Sequence, residues 1–264
     1  MAQQRTLNEL QVPSSEIAIR KITTHDLWQS LKEGYDDFNA RPTFVTFLFL
    51  IYPLSALIFT LFLQGENLPY LAFPMMAGFT LLGPVVSVAL FEMSRRREQG
   101  LDTSWRSAFS FVHSDRFAPI LALSILMMVL YVAWLFLAEF LYFGLFGANP
   151  PASFGEFTER LVTTRPGVAL MLYGNVIGLI FAFTALAVSV VGFPLLLDKP
   201  VSSLTAIGTS IRAVATNLYV MLLWGLIVTV LLAAGAAVFL VGLAAVLPIL
   251  GHATWHLYRK LIEP

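Results

Sequence analysis

Charged residues in this chain are confined to short stretches that separate long apolar runs. Residues 43–65, 67–91, 117–138 and 166–197 contain no Asp, Glu, Lys or Arg, and a fifth run of 46 residues lies between Arg212 and Arg259. At roughly 1.5 Å of rise per helical residue that last run is about 69 Å long, twice the ~30 Å hydrocarbon core of a bilayer. It therefore predicts two helices folded back on each other. Each of the other four runs is long enough for one crossing, since about 17–25 apolar residues suffice. The pattern predicts an all-α polytopic membrane protein with six transmembrane helices arranged as three hairpins.

The polar stretches carry a second pattern. Leu27, Trp28, Leu31, Tyr35 and Phe38 recur at helical spacing opposite Asp26, Lys32, Glu33, Asp36 and Asp37. This predicts an amphipathic helix, capped by Thr23 or Thr24, lying in the headgroup region ahead of the first span. Residues 1–22 read as a flexible cytoplasmic tail and 23–264 as a single six-helix membrane domain. Within that domain Trp28, Ser30 and Pro42 match Trp105, Ser107 and Pro119 at a constant offset of 77. Ile207, Ser210, Ile211, Val214 and Asn217 take the places of Leu31, Gly34, Tyr35, Phe38 and Arg41. Glu92, Arg95 and Arg96 follow Pro84 at the offsets at which His256, Arg259 and Lys260 follow Pro248, whereas Asp198 and Lys199 follow Pro194 sooner. Three pseudo-repeats are expected, about 23–97, 100–199 and 200–264, each a cytoplasmic interfacial amphipathic helix followed by a hairpin.

Composition agrees with this reading. The chain is 58% hydrophobic and 12% charged with a mean hydropathy of +0.77, against about 25% charged residues in soluble domains. Its net charge of zero conceals a sorting by loop. With the N-terminus inside, 14 of the 16 Lys and Arg residues are cytoplasmic and only Arg160 and Arg165 lie outside, which places both termini in the cytoplasm. Five spans would leave Arg259 and Lys260 outside. The absence of cysteine excludes disulfides, thiolate metal sites and iron–sulfur clusters within this chain. Residues 1–41 are too polar for a cleavable signal peptide.

Pro53, Pro74, Pro84, Pro194 and Pro248 are expected to bend or loosen their spans. Gly174 and Gly178 form a GxxxG step, and Ala233 to Ala237 mark the closest approach in the last hairpin. Candidate chemistry is sparse. Glu139 is placed near the outer end of the third span, and Glu92, His252 and His256 form a candidate polar cluster at the cytoplasmic membrane face. His252 and His256 share a helix face, half of what a metal or haem site needs, and no further ligands stand at a suitable spacing. A contact between Glu92 and His256 would follow if the even-numbered helices are neighbours. The 147–165 loop is too short for a catalytic domain, and no nucleic-acid, phosphate-loop or zinc-protease motif is present. No cofactor, metal or catalytic residue is expected. Arg95, Arg96 and Arg97 read first as a topology determinant and second as an attraction to anionic lipid.

The stretches Glu92-Met93-Ser94-Arg95-Arg96-Arg97-Glu98, Asp198 through Arg212, and Gly251-His252-Ala253-Thr254-Trp255-His256-Leu257-Tyr258-Arg259 resemble a proteobacterial family of integral membrane proteins catalogued as a domain of unknown function. Some of its members carry a cytochrome c oxidase label. The resemblance runs from about residue 23 and implies a location in the bacterial inner (cytoplasmic) membrane, with no catalytic residues to transfer. Haem–copper catalysis needs several histidines on different helices, and this chain offers two on one, so only an accessory or assembly role fits that label. The expected function is noncatalytic: an accessory, assembly or scaffolding protein whose partners are the bilayer and another membrane protein or a second copy. The alternative is a transporter or channel for a small or amphiphilic solute, suggested by the repeats and helix prolines.

Overall fold

A computed structural model describes residues 17–41, 46–47, 69–238 and 241–263. The first expected span, 43–65, with Pro53, lies almost wholly outside them. The described elements are helical, apart from one antiparallel bridge between Ile19 and Ile262. They are α1 (Thr24–Ala40), α2 (Pro69–Phe79), a 3-10 turn (Thr80–Leu82), α3 (Gly83–Val86), α4 (Val88–Glu98), α5 (Trp105–Ala108), a second 3-10 turn (Ser110–His113), α6 (Phe117–Phe146), α7 (Phe154–Thr163), α8 (Arg165–Ser189), α9 (Gly192–Asp198), α10 (Ser203–Thr216), α11 (Leu218–Ala237) and α12 (Leu243–Leu261).

Four helical stretches are long and apolar enough to cross a membrane: Tyr70–Glu98, Phe117–Phe146, Arg165–Asp198 and Leu218–Ala237. They coincide with the second, third, fourth and fifth expected spans. The sixth falls on α12, which is not among these four; its C-terminal half carries His252, His256, Arg259 and Lys260 and is mostly buried. Pro74 and Pro248 are contained inside α2 and α12. Pro84 and Pro194 behave differently. A proline frees the carbonyl four residues earlier, here Thr80 and Val190, and the two helical interruptions begin at those residues. At the second one the Val191 N–H donates to Ser210 Oγ at 3.2 Å.

The chain divides into two compact units, Met1–Phe49 with Pro84–Ile125 and Leu186–Pro264, and Leu50–Gly83 with Leu126–Ala185. In the second, Tyr70, Tyr142 and Phe157 form a buried core with Leu71, Phe146, Leu161 and Leu170 around it. Trp134 lies between two glycines: a Cβ on Gly78 would stand 2.5 Å from its Cδ1, and one on Gly178 3.2 Å from its Cη2. Its indole N–H donates to the Pro74 carbonyl at 2.8 Å. Of the GxxxG step, Gly178 thus faces an aromatic ring, and a Cβ on Gly174 would meet only Leu141 Cδ2 at 4.0 Å. Sequence reading treated 147–165 as a plain loop and missed α7. Ser153 caps that helix, Glu156 and Arg160 pair along it, and Phe157 anchors it in the core.

In the first unit α12 packs along α1 and also against α4, α9 and α11, while α9 meets α4 and α10. Glycine sets these distances. A Cβ on Gly34 would stand 2.5 Å from the Ala253 backbone nitrogen, and one on Gly251 2.6 Å from Leu90 Cδ1. Where α11 leads into α12, Gly235 and Gly242 meet closely: a Cβ on Gly242 would be 2.7 Å from Gly235 Cα. Thr23 begins α1, its N–H bonding the Asp26 carboxylate at 2.7 Å.

The buried face of α1 departs from the sequence pattern. It consists of Leu27, Ser30, Gly34 and Asp37, while Trp28 and Tyr35 are 68% and 52% exposed. The expectation that Asp37 belongs to the outward polar face is corrected by α12, which brings polar partners to it. Residues 17–22 run extended beside the C-terminus: Arg20 N–H donates to the Leu261 carbonyl at 2.8 Å, and Asn217 accepts from Ile22 N–H at 2.9 Å. The middle interfacial segment consists only of α5 and a 3-10 turn, whereas α10 is a 14-residue helix.

Candidate functional site: a buried network around Asp37

Three helices of the first unit supply the network: α1 gives Glu33 and Asp37, α4 gives Ser94, Arg97 and Glu98, and α12 gives His252, His256 and Lys260. The spacing puts each set on one helix face, since residues three or four apart are neighbours. Asp37 is the hub. Its Oδ2 accepts from His256 Nε2 at 2.9 Å and from the Ser94 hydroxyl, and its Oδ1 accepts from Arg97. Ser94 Oγ also lies 2.8 Å from His252 Nδ1. A serine has one proton to give; with that proton on Asp37, the Ser94 oxygen accepts from His252 Nδ1–H. His252 Nε2 is buried without a hydrogen-bond partner among the described residues.

A second layer closes around the first. His256 Nδ1 stands 3.6 Å from Glu33 and 3.8 Å from Glu98, and Lys260 pairs with Glu33. Glu98 accepts from Trp255 Nε1 at 2.9 Å and from Arg259 at 3.0 Å. Arg259 reaches Asp198 of α9 at 3.0 Å, and the Tyr258 hydroxyl donates to the same carboxylate at 2.6 Å. The stretch 251–259 is therefore used almost residue by residue. Gly251 admits Leu90, His252 meets Ser94, Ala253 faces Gly34, Trp255 holds Glu98 and His256 holds Asp37.

Burial acts on Asp37 in the direction of a raised pKa, but the hydrogen bonds from His256 and Ser94 outweigh it. Its carboxyl is held below the ordinary range and is ionised at neutral pH. A cavity of about 10 Å³ lies beside Asp37, Ser94, Arg97 and His252, the size of one water molecule. Ser94 is 1% exposed, so its hydroxyl is not presented as a nucleophile. The arrangement suits holding helices together better than turning over a substrate.

His252 and His256 come together through Asp37 and Ser94. Glu92 stands apart: its oxygens are held at 2.8 Å by Arg95 and Arg96. Among the described residues, no group of three or more His, Cys, Asp or Glu is placed to hold a metal ion. Glu139 lies half-buried within α6, seven residues before its end. Sequence reasoning missed Asp37, Ser94 and Arg97 as members of the network. The available signal was the stripe Ser30, Gly34 and Asp37, whose small members mark a face made for close helix contact.

Residues 72–198 match the model of the family described as Predicted integral membrane protein (DUF2189), a domain of unknown function. No curated protein and no solved structure matches the chain. The matched stretch contains Ser94 and Arg97 and ends before α12. The chain is an integral membrane protein with several apolar helices.

Proposed function

We propose that this integral membrane protein is a noncatalytic accessory, assembly or scaffolding component of the bacterial inner membrane, acting through protein contacts within the bilayer. The observation that carries the reading is where its polar side chains go. Asp37, Ser94, Arg97, His252 and His256 bond one another inside the first unit, while the membrane-length helices turn apolar side chains outward. On α11, Leu222, Leu226 and Val230 are exposed, and on α8 so are Leu172, Leu179 and Ile180. Such faces fit acyl chains and the helices of another membrane protein or a second copy.

In this reading six spans form three hairpins, 23–97, 100–199 and 200–264 are repeats, and both termini are cytoplasmic. Support comes from the sorting of Lys and Arg among loops and from the convergence of α4, α9 and α12, where Arg259 links Glu98 with Asp198. A carrier reading would use the broken helices as a substrate cradle. The break at Val191 is instead bonded by Ser210, which favours the scaffold. A photoreactive amino acid at Leu226 tests the proposal in intact membranes. Adducts to one protein of constant mass are expected; adducts only to lipid, at Leu226 and at Leu179 alike, would overturn it.

A further inference from the structure

The arginines near the end of α4 do not have equivalent surroundings. Arg95 and Arg96 hold Glu92, Arg97 holds Asp37, and Arg259 spans Glu98 and Asp198. Each arginine of the basic triplet is thus already paired with a carboxylate inside the protein. Arg116, the residue before α6, differs. It is only partly exposed, and its side chain has no hydrogen-bond or ion-pair partner among the described residues.

The acids within electrostatic reach of Arg116, Glu92 and Asp198, are already held by Arg95 and Arg96 and by Arg259 and Tyr258. Four guanidiniums, Arg95, Arg96, Arg116 and Arg259, thus share three carboxylates, Glu92, Glu98 and Asp198. Desolvation and the neighbouring Arg95 charge both push the Arg116 pKa below its ordinary value. A partly buried cation without a counter-ion is unfavourable, and at the end of a membrane-length helix the abundant counter-ion is a lipid phosphate. Continuing from Arg116, Phe117, Leu121 and Ile125 are 37%, 45% and 56% exposed at four-residue spacing along α6.

We propose that Arg116 binds the phosphate of an anionic phospholipid in the leaflet at that end of α6, with an acyl chain lying along Phe117, Leu121 and Ile125. The assignment is independent of the scaffold reading. It is also distinct from the attraction expected of the Arg95 to Arg97 triplet, whose side chains are engaged internally.

Native mass spectrometry of the full chain in mild detergent, supplied with equal phosphatidylglycerol and phosphatidylcholine, provides the test. Wild-type protein is expected to retain one phosphatidylglycerol preferentially. Arg116→Gln is expected to weaken that retention about tenfold, the scale of one charge-assisted hydrogen bond. Arg106→Gln, at an exposed arginine of the same loop, is expected to leave it unchanged, and Arg116→Lys to keep part of the preference. Equal retention of the two lipids by wild type would overturn the proposal whether or not the variants fold. Unchanged retention by a folded Arg116→Gln would also overturn it. Displacement of the lipid by low-millimolar inorganic phosphate alone would assign the site to free phosphate instead.

Discussion

Asp37 Oδ2 and His256 Nε2 stand 2.9 Å apart across the contact between α1 and α12, although 219 positions separate them in the chain. The bond closes beside Gly34 and Ala253, where the two helices come so near that a methyl group on Gly34 has no room. Backbone proximity and a buried ionic hydrogen bond thus specify one register between the first described helix and the last. Neither feature needs a substrate, and both explain why Asp37 occupies the buried side of an otherwise polar helix face.

Replacing Asp37 by Asn keeps the size of the side chain but leaves Arg97 without its anion. Arg97 is 44% exposed and stays solvated, so the cost is that of the weakened buried hydrogen bonds from Ser94 and His256, and Asp37→Asn is expected to lower unfolding stability in detergent by about 1–3 kcal/mol. Ser94→Ala should cost about 1–3 kcal/mol, the penalty of one lost buried hydrogen bond. Thermal or denaturant unfolding of the two variants against wild type measures both; an Asp37→Asn protein as stable as wild type would show that the network does not hold α1.

Acid should erase the Asp37 contribution. Its folded-state pKa lies below the unfolded value, so the stabilisation is present above about pH 4 and is lost as pH falls through the folded pKa. The Tm difference between wild type and Asp37→Asn is therefore expected to be full at pH 6 and to shrink below about pH 4. A difference that stays constant down to pH 2 contradicts this. Asp102, held at about 2 by the hydroxyls of Ser104 and Ser107 and the Ser104 N–H, titrates in the same direction but is exposed, so its share is small.

Double-mutant cycles separate the pairings. Asp37→Asn with His256→Gln should show a coupling of about 1–3 kcal/mol, because the groups touch, whereas Glu92→Gln with His256→Gln should add within about 0.5 kcal/mol. The reverse pattern would restore the Glu92–His256 contact that the even-helix repeat suggested.

Gly34→Ala is expected to destabilise by about 1–3 kcal/mol through overpacking against Ala253. Gly144→Ala, in the helix interior of α6 with open space around the new methyl, should be neutral or stabilising by up to about 1 kcal/mol. Equal effects at the two glycines would mean that the α1–α12 approach is looser than described.

Much of the fold was legible because long apolar runs have few alternatives in a lipid environment. The runs at 67–91, 117–138 and 166–197 coincide with membrane-length helices, and Pro84 and Pro194 correctly mark where helices break. Pro74 and Pro248 stand inside helices that continue past them. Helix α7 was hidden by Pro150 and Pro151 ahead of it and by its ten-residue length, too short for a periodic signal to stand out. At the candidate site, His252 and His256 were legible as a same-face pair. Their partners were not, because Asp37 looks like any acid on an amphipathic helix until Ser30 and Gly34 are read as the contact side. Periodicity alone favoured Trp28 and Tyr35 for burial, but bulky aromatics cannot occupy a face that needs glycine spacing.

The most direct measurement of the scaffold reading is size-resolved mass spectrometry, with an optical spectrum on the same fractions, of the wild-type protein extracted from its native membrane in mild detergent. A colourless chain that migrates with a membrane-protein partner or further copies of itself at fixed stoichiometry is expected. A lone monomer with no partner, together with solute flux through reconstituted vesicles, would contradict it.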